Sequence, residues 1–261
     1  MQNDLIDAFD EYFEIITVNS PELLEESFRL RHTVLCIEAR LPGFNVEDYP
    51  DGRETDEFDH HSHHLLLKHR PSNSFIGGAR LIRPDPLNLQ APLPIEQHTL
   101  IDSEMLDTNN LSRQNAAEIS RFLLLGKYSR RREERRRSPD WLSNEQRDQD
   151  VNRRRFPHPM LAIAVGIIRT CIQHNITHWF SVMEPALNRL LGLYDLQLDP
   201  IGPLANYHGP RRPYYADIRK VLERMHTNNP QVWELVTDRG EIQPTLPGAV
   251  LNASIVAEHG N

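Results

Sequence analysis

The fold of this chain is decided by the stretch EISRFLLL at residues 118–125. A run of large apolar residues here carries three polar side chains, those of Glu118, Ser120 and Arg121. Apolar runs of this length that are bounded by charge are typical of buried strands. We therefore predict a strand over residues 118–128.

The polar side chains of this strand alternate with apolar ones. In a regular strand Glu118, Ser120 and Phe122 share one face, whereas Ile119 and Arg121 share the other. An acid, a hydroxyl and a guanidinium are costly to bury unless they have partners. Either a structural salt bridge or a functional site explains them.

The segments around this strand alternate between helical and extended patterns. Apolar spacing predicts helices over residues 5–16, 20–36, 160–174, 185–193 and 215–225. Further strands are predicted over residues 65–67, 74–82, 178–183 and 196–200. This order indicates an α/β fold with one mixed central sheet flanked by helices. The 261-residue chain has no repeat and no clear linker, so we predict a single domain over residues 5–244 and a loose tail over 245–261.

The charge of the chain is unevenly distributed. The net charge is −8, but residues 1–60 carry 16 acidic and 4 basic residues, whereas residues 121–160 carry 12 basic and 6 acidic ones. The basic block RRREERRR at 130–137 lies in a segment, residues 129–157, that lacks an apolar period. We interpret this segment as a mobile, Arg-rich insertion. The acidic N-terminal segment and the lack of interleaved aromatic residues argue against a nucleic-acid partner.

A second polar cluster is ETDEFD at residues 54–59. Four acids in six residues most often form a solvated loop. The alternative is that Asp56 and Asp59 turn inward and pair with an arginine such as Arg31, because a buried charge needs an opposite charge.

Histidines and cysteines supply possible metal ligands, but their spacing does not fit a metal site. The run HHSHH at residues 60–64 leads into a strand and not into a helical i, i+4 pair, so we predict no metal site. Cys36 and Cys171 are too few for a disulfide framework. Cys36 is expected to be a packed helix residue, since only His32 is placed to activate it.

No segment of the sequence is typical of export or membrane insertion. The longest apolar run, residues 160–168, is about half of a membrane span. The first residues are acidic and lack the basic region of a signal peptide. The expected compartment is the cytoplasm, with no transmembrane segment.

A third candidate for function is the stretch YHGPRRPY at residues 207–214. Two prolines and a glycine predict a rigid loop that presents polar rings and guanidinium groups. Loops of this kind often bind ligands. The candidate binding residues are Tyr207, His208, Arg211 and Tyr214.

These motifs, in this order, resemble the acyl-homoserine-lactone synthase family and its relatives, the long-chain N-acyl amino acid synthases. The matching residues are the helix around Arg31, the acidic loop 54–59 and the strand motif that begins at Glu118. The sequence is more similar still to the acyltransferases associated with exosortase and PEP-CTERM sorting systems. That likeness covers most of residues 12–240 and includes residues 54–67, 182–185, 201–216 and 232–233.

The resemblance implies a GNAT-like fold and transfer of a fatty-acyl chain from a thioester to a small amine or amino acid. It implies that Glu118 is the catalytic base and that Ser120 and Arg121 lie beside it in the cleft. It also implies a charged acceptor side that contains Arg31, Asp56 and Asp59. Four further residues are expected to contact substrate, namely Phe122, Leu123, Met183 and Glu184.

The donor is expected to be acyl carrier protein, with acyl-CoA as the other possible cosubstrate and no permanently bound cofactor. Acetyl-CoA-dependent relatives carry a glycine-rich phosphate loop after this strand, whereas residues 126–131 read GKYSRR. The arginine block suits an acidic carrier protein, and Arg130, Arg131 and Arg132 are its predicted docking residues. A non-catalytic acyl-binding regulatory module on the same fold is the alternative function.

Overall fold

The structure is a computed structural model, and it describes residues 5–106, 111–129 and 158–242. The three docking arginines predicted at Arg130, Arg131 and Arg132 lie outside the described residues. The rest of the predicted Arg-rich insertion, except Ser129, and the whole predicted tail also lie outside the described residues.

Helices and strands alternate along the described chain. The helices are α1 (Leu5–Tyr12), α2 (Pro21–His32), α3 (Pro94–His98), α4 (Gly126–Ser129), α5 (Pro159–Gln173), α6 (Pro185–Leu191), α7 (Ile218–Asn228) and α8 (Pro230–Thr237). The strands are β1 (Phe13–Thr17), β2 (Ser62–His69), β3 (Ser74–Ile82), β4 (Ala116–Leu124), β5 (His178–Met183), β6 (Asp199–Pro200), β7 (Ala205–Asn206) and β8 (Pro210–Asp217).

The strands form one eight-stranded, mostly antiparallel sheet. Its order is β1-β2-β3-β4-β5-β8-β6, and β7 pairs with β8. The pair β4–β5 is parallel, and its register ends at Ile119 opposite Ser181. Beyond this point both strands continue unpaired to each other, and the Ser181 hydroxyl donates 3.1 Å to the carbonyl of Ile119. The two strands therefore part and leave a cleft between them.

A β-bulge bends β4 at the start of this cleft. Ser120 is paired with Arg80 of β3, whereas Leu123 is paired with Gly78, so two residues of β4 face one residue of β3. Arg121 takes a left-handed conformation with φ of 51°. Bulges of this kind kink the strand and redirect its side chains. The regular alternation predicted for residues 118–122 is therefore wrong beyond Ser120.

The main core lies between one face of the sheet and the helices α1, α5, α7 and α8. Helix α5 is apolar nearly all round and is buried along most of its length, as its sequence predicts. A smaller cluster packs Val34, Leu35 and Cys36, which follow α2 in a π-helical turn, against Leu123 of β4. Strand β4 thus packs against the helical layer and, through Leu123, against the chain that follows α2.

Several elements match the sequence-based expectations and others do not; the helix predicted over residues 5–16 ends at Tyr12 and is followed by β1. The bounds of β3 and β5 are confirmed, whereas β4 ends at Leu124 and is followed by the short helix α4. Residues 210–217, which include most of the predicted loop 207–214 and the first residues of the helix predicted at 215–225, are instead the hairpin strand β8, and α7 begins at Ile218. Pro210 and Pro213 hid this strand, since proline is rare inside sheets. Helix α8 was not predicted.

In the described parts of the chain, no helix is both long enough and apolar enough to cross a membrane.

Candidate active site

A cavity of about 470 Å³ occupies the cleft between β4 and β5. Its polar half is lined by side chains from β3, β4 and the hairpin β7–β8. Among the sequence-predicted residues it brings together Asp56, Glu118, Ser120, Arg121, Phe122, Leu123, Met183, Glu184, Tyr207, His208 and Arg211. One strand, its bulge and a hairpin from the other end of the sheet therefore form a single site.

The other half of the cavity is apolar. Helix α5 lines it with Met160, Ala164 and Ile167, and β5 adds Trp179. Four leucines from α6 and the segment after it complete this wall, namely Leu187, Leu191, Leu196 and Leu198. This half has the chemistry of a pocket for an apolar chain.

Glu118 lies on β4 at the polar half and is 2% exposed. Its Oε2 accepts a hydrogen bond of 2.8 Å from the backbone N–H of Ile95. Burial raises the pKa of Glu118 to about 7, although the N–H of Ile95 and the charge of Arg80 act in the opposite direction. A carboxyl with this pKa is divided between its acid and its base at neutral pH, as general base catalysis requires.

The partner of Glu118 is held by a clamp around α3. Glu96 accepts a hydrogen bond of 2.8 Å from the N–H of Leu93. Arg113 donates 2.7 and 2.9 Å to the two carboxylate oxygens of Glu96, and it also donates to the carbonyls of Leu89 and Ala91. The clamp fixes the first turn of α3 and hence the N–H that Glu118 accepts.

Six charged side chains form a closed ring beside the polar half. Arginines and carboxylates alternate, in the order Arg31, Glu54, Arg121, Asp56, Arg80, Asp59 and back to Arg31. Arg121 donates 3.0 and 2.7 Å to Glu54 and 2.9 Å to Asp56. Arg31 donates to both Glu54 and Asp59. We call this set the charge ring.

Arg80 closes the charge ring from β3. It donates 2.5 and 2.8 Å to Asp56, 2.6 Å to Asp59 and, through Nε, 2.9 Å to Ser120. The side chains of Arg31, Arg80 and Glu54 are 2%, 1% and 0% exposed. The ring contains three positive and three negative groups, so its formal charges cancel.

The charge ring keeps its buried acids ionised. Burial alone would raise the pKa of Glu54, but hydrogen bonds and charge from Arg121, together with Arg31, lower it to about 2. Burial also opposes ionisation of Asp59, yet Arg31 and Arg80 hold its pKa well below the ordinary value. Burial would lower the pKa of Arg121, and Glu54 and Asp56 raise it instead.

The site differs from the sequence-based prediction at five residues. Arg31 and Asp59 belong to the charge ring but do not line the cavity, so they lie behind its wall. Tyr214 is 4% exposed and packs in the main core instead of lining the cavity. Glu54 and Arg80 were not predicted as site residues. A lone arginine within the apolar strand FIGGARLI was the signal for Arg80.

The tip of the β7–β8 hairpin covers the polar half of the cavity. His208 Nδ1 donates 2.7 Å to the carbonyl of Pro42, and its ring centroid lies 4.6 Å from that of Phe44. The Arg121 guanidinium carbon lies 5.0 Å from the Phe44 ring centroid on the other side. Tyr207 stacks on His98 at 4.4 Å. Two loops far apart in sequence thus meet as a roof.

The histidine run and the cysteines have structural surroundings. His63 stacks on His174 at 3.8 Å, and burial is the main cause that lowers the pKa of both His63 and His64 to about 4. Within the described ranges, no three His, Cys, Asp or Glu side chains are grouped to hold a metal ion. Cys36 and Cys171 are buried, and burial raises the pKa of each thiol.

Comparisons with known proteins agree with this architecture. Residues 30–137 match the acetyltransferase (GNAT) domain family. BjaI, a CoA-dependent acyl-homoserine lactone synthase solved with SAM and isopentyl-CoA, is 19% identical with a TM-score of 0.53, over 90% of this chain and 94% of that chain. TofI, solved in a ternary complex with an inhibitor and MTA, is 14% identical with a TM-score of 0.51, over 84% and 99%.

A further solved structure is FeeM, an N-acyl amino acid synthase from uncultured soil microbes, at 11% identity, a TM-score of 0.49 and 81% and 93% coverage. No curated protein matches the sequence. Residues 30–137 are thus similar to an acetyltransferase (GNAT) domain, and the predicted fold, a single GNAT-like α/β domain with helices flanking the sheet, is confirmed.

Proposed function

We propose that this protein is an N-acyltransferase that moves a fatty-acyl chain from an acyl thioester to a small amine or amino acid. The observation that carries the proposal is the position of Glu118, a buried carboxyl with a raised pKa, in the cleft where β4 and β5 part. A thioester is already activated, so the enzyme has to align the amine and remove its proton.

Glu118 is the proposed base. A free α-amine has a pKa near 8, and Glu118 has a pKa of about 7, so the two groups are closely matched. The amine nitrogen attacks the thioester carbonyl carbon while its proton passes to Glu118, directly or through water. The C–S bond then breaks, and the departing sulfur takes up a proton as the free thiol forms.

The developing oxyanion needs N–H donors in the cleft. The parallel ladder of β4 and β5 ends at Ile119 and Ser181, so backbone groups beyond it do not bond to the facing strand. Within residues 123–125, where such donors are expected, Leu125 donates to the carbonyl of Ile76 and is therefore already used. The amides of β4 between the bulge and Leu124 are the proposed donors.

The apolar half of the cavity is the proposed site for the acyl chain. Helix α5 and the segment after β5 supply its wall, as expected for a fatty-acyl substrate. The thioester carbon would then lie between this wall and Glu118. Asp56, Ser120 and Arg121 would face the acceptor together with Tyr207 and His208, and Phe122, Leu123, Met183 and Glu184 would contact the substrates near the reacting carbon.

Acyl carrier protein is the proposed donor, because the sequence lacks a glycine-rich phosphate loop and carries an arginine block directly after α4 in sequence. BjaI is CoA-dependent, so acyl-CoA is tested as a second donor beside acyl carrier protein. The motif likeness to exosortase-associated acyltransferases extends the proposal to a role in such a system.

The experiment offers dodecanoyl-carrier protein and dodecanoyl-CoA to the purified protein with a mixture of amino acids and small amines. Mass spectrometry detects N-acyl products. We expect Glu118→Gln to slow transfer by about 10²–10⁴-fold, the range of a lost general base. Glu223→Gln, an exposed acid on α7, is the matched control. Equal trace rates in wild type and Glu118→Gln would favour the alternative, a non-catalytic acyl-binding module.

A further inference from the structure

Arg211 stands apart from the other half-buried arginines whose Nε is buried. It is the second residue of β8, its backbone pairs with Ala205, and its side chain lines the polar half of the cavity. Its Nε is buried and has no hydrogen-bond partner. Across the described ranges, its guanidinium makes no ion pair and no side-chain hydrogen bond.

Other arginines with an unpartnered Nε are bonded through their terminal nitrogens. Arg83 donates to the carbonyls of His174 and Gln114, Arg169 to that of Leu235, and Arg224 to those of Asp195 and Gln197. Neighbouring Arg212 donates 2.7 Å from Nε to the carbonyl of Gly202. These contacts hold the fold together, whereas Arg211 has no comparable contact among the described residues.

The surroundings of Arg211 favour an anion in the cavity. The charge ring is formally neutral, and among the described residues Arg211 is in ion-pair contact with no carboxylate, although Glu184 acts on its charge through space. Burial lowers its pKa, and the groups that act on its charge are Glu184, Tyr207 and Arg121. Buried donors are normally satisfied, and a planar guanidinium is best satisfied by a planar carboxylate that accepts two hydrogen bonds.

The position of Arg211 is on the acceptor side of the site. Tyr207 interacts electrostatically with both Glu118 and Arg211, and all three side chains line the same cavity. A molecule with its amine at Glu118 and an anionic group at Arg211 fits this arrangement.

We propose that Arg211 binds the carboxylate of the acceptor, which is therefore an amino acid and not a simple amine. This assignment rests on the proposed acyl transfer and defines the charge of its second substrate. Arg211 acts as a specificity residue that orients the amine towards Glu118.

The test uses two probes that resemble a product, N-dodecanoylglycine and its uncharged amide, N-dodecanoylglycinamide. Calorimetric titration measures their binding to the full chain. We expect wild type to bind the acid about 10- to 100-fold more tightly, as for a hydrogen bond to a charged group. Arg211→Gln should bind both probes equally, whereas Arg211→Lys should keep part of the preference. Arg189→Gln, an exposed arginine on α6, should behave as wild type.

A donor phosphate is the other possible source of the anion, and a second titration separates it. Dodecanoyl-CoA and dodecanoyl-pantetheine carry the same acyl chain, but only dodecanoyl-CoA carries phosphates, together with the adenosine. If Arg211→Gln weakens only dodecanoyl-CoA and keeps the preference for the acid, Arg211 binds the donor and the assignment is overturned. Loss of both glycine probes together would show a structural role and overturn it too.

The two proposals fail in different ways. The probes do not react, so a protein without transferase activity can still prefer the acid through Arg211. Wild type that transfers acyl chains but binds both probes equally, or binds neither, overturns the Arg211 assignment alone. Because Arg211 is unpaired in the empty protein, Arg211→Gln should keep or raise the thermal midpoint without ligand.

Discussion

Two buried carboxylates in this molecule start from the same ordinary pKa of 4.5 and end far apart. Glu54, in the charge ring, accepts hydrogen bonds from two arginines and has a pKa of about 2. Glu118, a short distance along the same site, accepts one backbone N–H and has a pKa of about 7. Burial acts on both in the same direction, so the number of charged partners decides the outcome.

The comparison separates structural charges from chemical ones. The charge ring satisfies every member with oppositely charged neighbours, and it ties the acidic loop and α2 to β3 and β4. Among the described residues Glu118 and Arg211 make no ion pair, and both line the cavity. Groups that are left open in this way can exchange a proton or accept a ligand.

The largest expected effect comes from opening the charge ring. Glu54→Gln leaves Arg31 and Arg121 buried without one of their carboxylates, so we expect the free energy of unfolding to fall by about 3–5 kcal/mol. Urea denaturation measures it. Arg53→Gln removes an exposed arginine that pairs with Asp51 and Glu25, and it should leave the transition unchanged. A small loss at Glu54 would show that the ring is dispensable.

The second prediction concerns stability against pH, where the two acids act with opposite sign. The pKa of Glu54 is lowered on folding, so its stabilisation is present above pH 4.5 and is lost as pH falls towards 2. The pKa of Glu118 is raised, so its relative stabilisation is present below pH 4.5 and is lost as pH rises through 7. Each shift corresponds to about 3 kcal/mol.

Urea unfolding of wild type, Glu54→Gln and Glu118→Gln between pH 2 and pH 8 measures this difference. Relative to wild type, Glu118→Gln should gain stability as the pH rises from 4.5 to 7. A wild-type curve parallel to that of Glu118→Gln would mean that Glu118 keeps its ordinary pKa on folding.

The third prediction is the pH dependence of the reaction. If Glu118 is the base, kcat at saturating substrates falls about tenfold for each pH unit below 7, because only the ionised carboxylate accepts the proton. The rate levels off above pH 7. Glu118→Gln should lose this inflection, whereas Glu223→Gln should keep it. An inflection near pH 7 that survives in Glu118→Gln assigns the base elsewhere.

The smallest effect is expected from the clamp around α3. Arg113→Gln frees Glu96 and loosens the N–H of Ile95. The hydrogen bond from this N–H lowers the pKa of Glu118, so weakening it raises that pKa. The inflection of kcat should move up by about 0.5–1 unit, as for one hydrogen bond of about 1 kcal/mol. Arg219→Gln breaks a comparable arginine–carboxylate pair with Asp217 far from the cleft, and it should leave the inflection in place.

Local elements of this structure could be predicted from the sequence, whereas most features that depend on tertiary contacts could not. Apolar runs located β3 and β5 with correct bounds, because burial on both faces leaves a clear signal. The bulge at Arg121 has no comparable signal, since a left-handed arginine is set by tertiary contacts. Strand β8 was hidden by Pro210 and Pro213, which lie at positions that the sheet tolerates.

The same limit applies to the site. The acidic motif and the Glu118 strand identified one wall each, but which acids pair with which arginines depends on how α2, β3 and β4 meet. Glu54 was not predicted as a site residue, because the sequence does not distinguish which of the four acids in residues 54–59 turn inward. That the guanidinium of Arg211 is left without a partner among the described residues cannot be read from YHGPRRPY, since Arg212 beside it is of the same type.

The contact between His208 in the hairpin and Pro42 forms only after most of the chain has been synthesised. His208 and Pro42 are 166 residues apart, and chains emerge from the ribosome N-terminal end first. The sheet from β1 to β5 can assemble while the hairpin is still being synthesised, so a newborn chain exposes the cleft to its surroundings. Enclosure is thus a late step in the synthesis of this protein, and a translation pause before residue 208 would leave the polar half of the cavity uncovered.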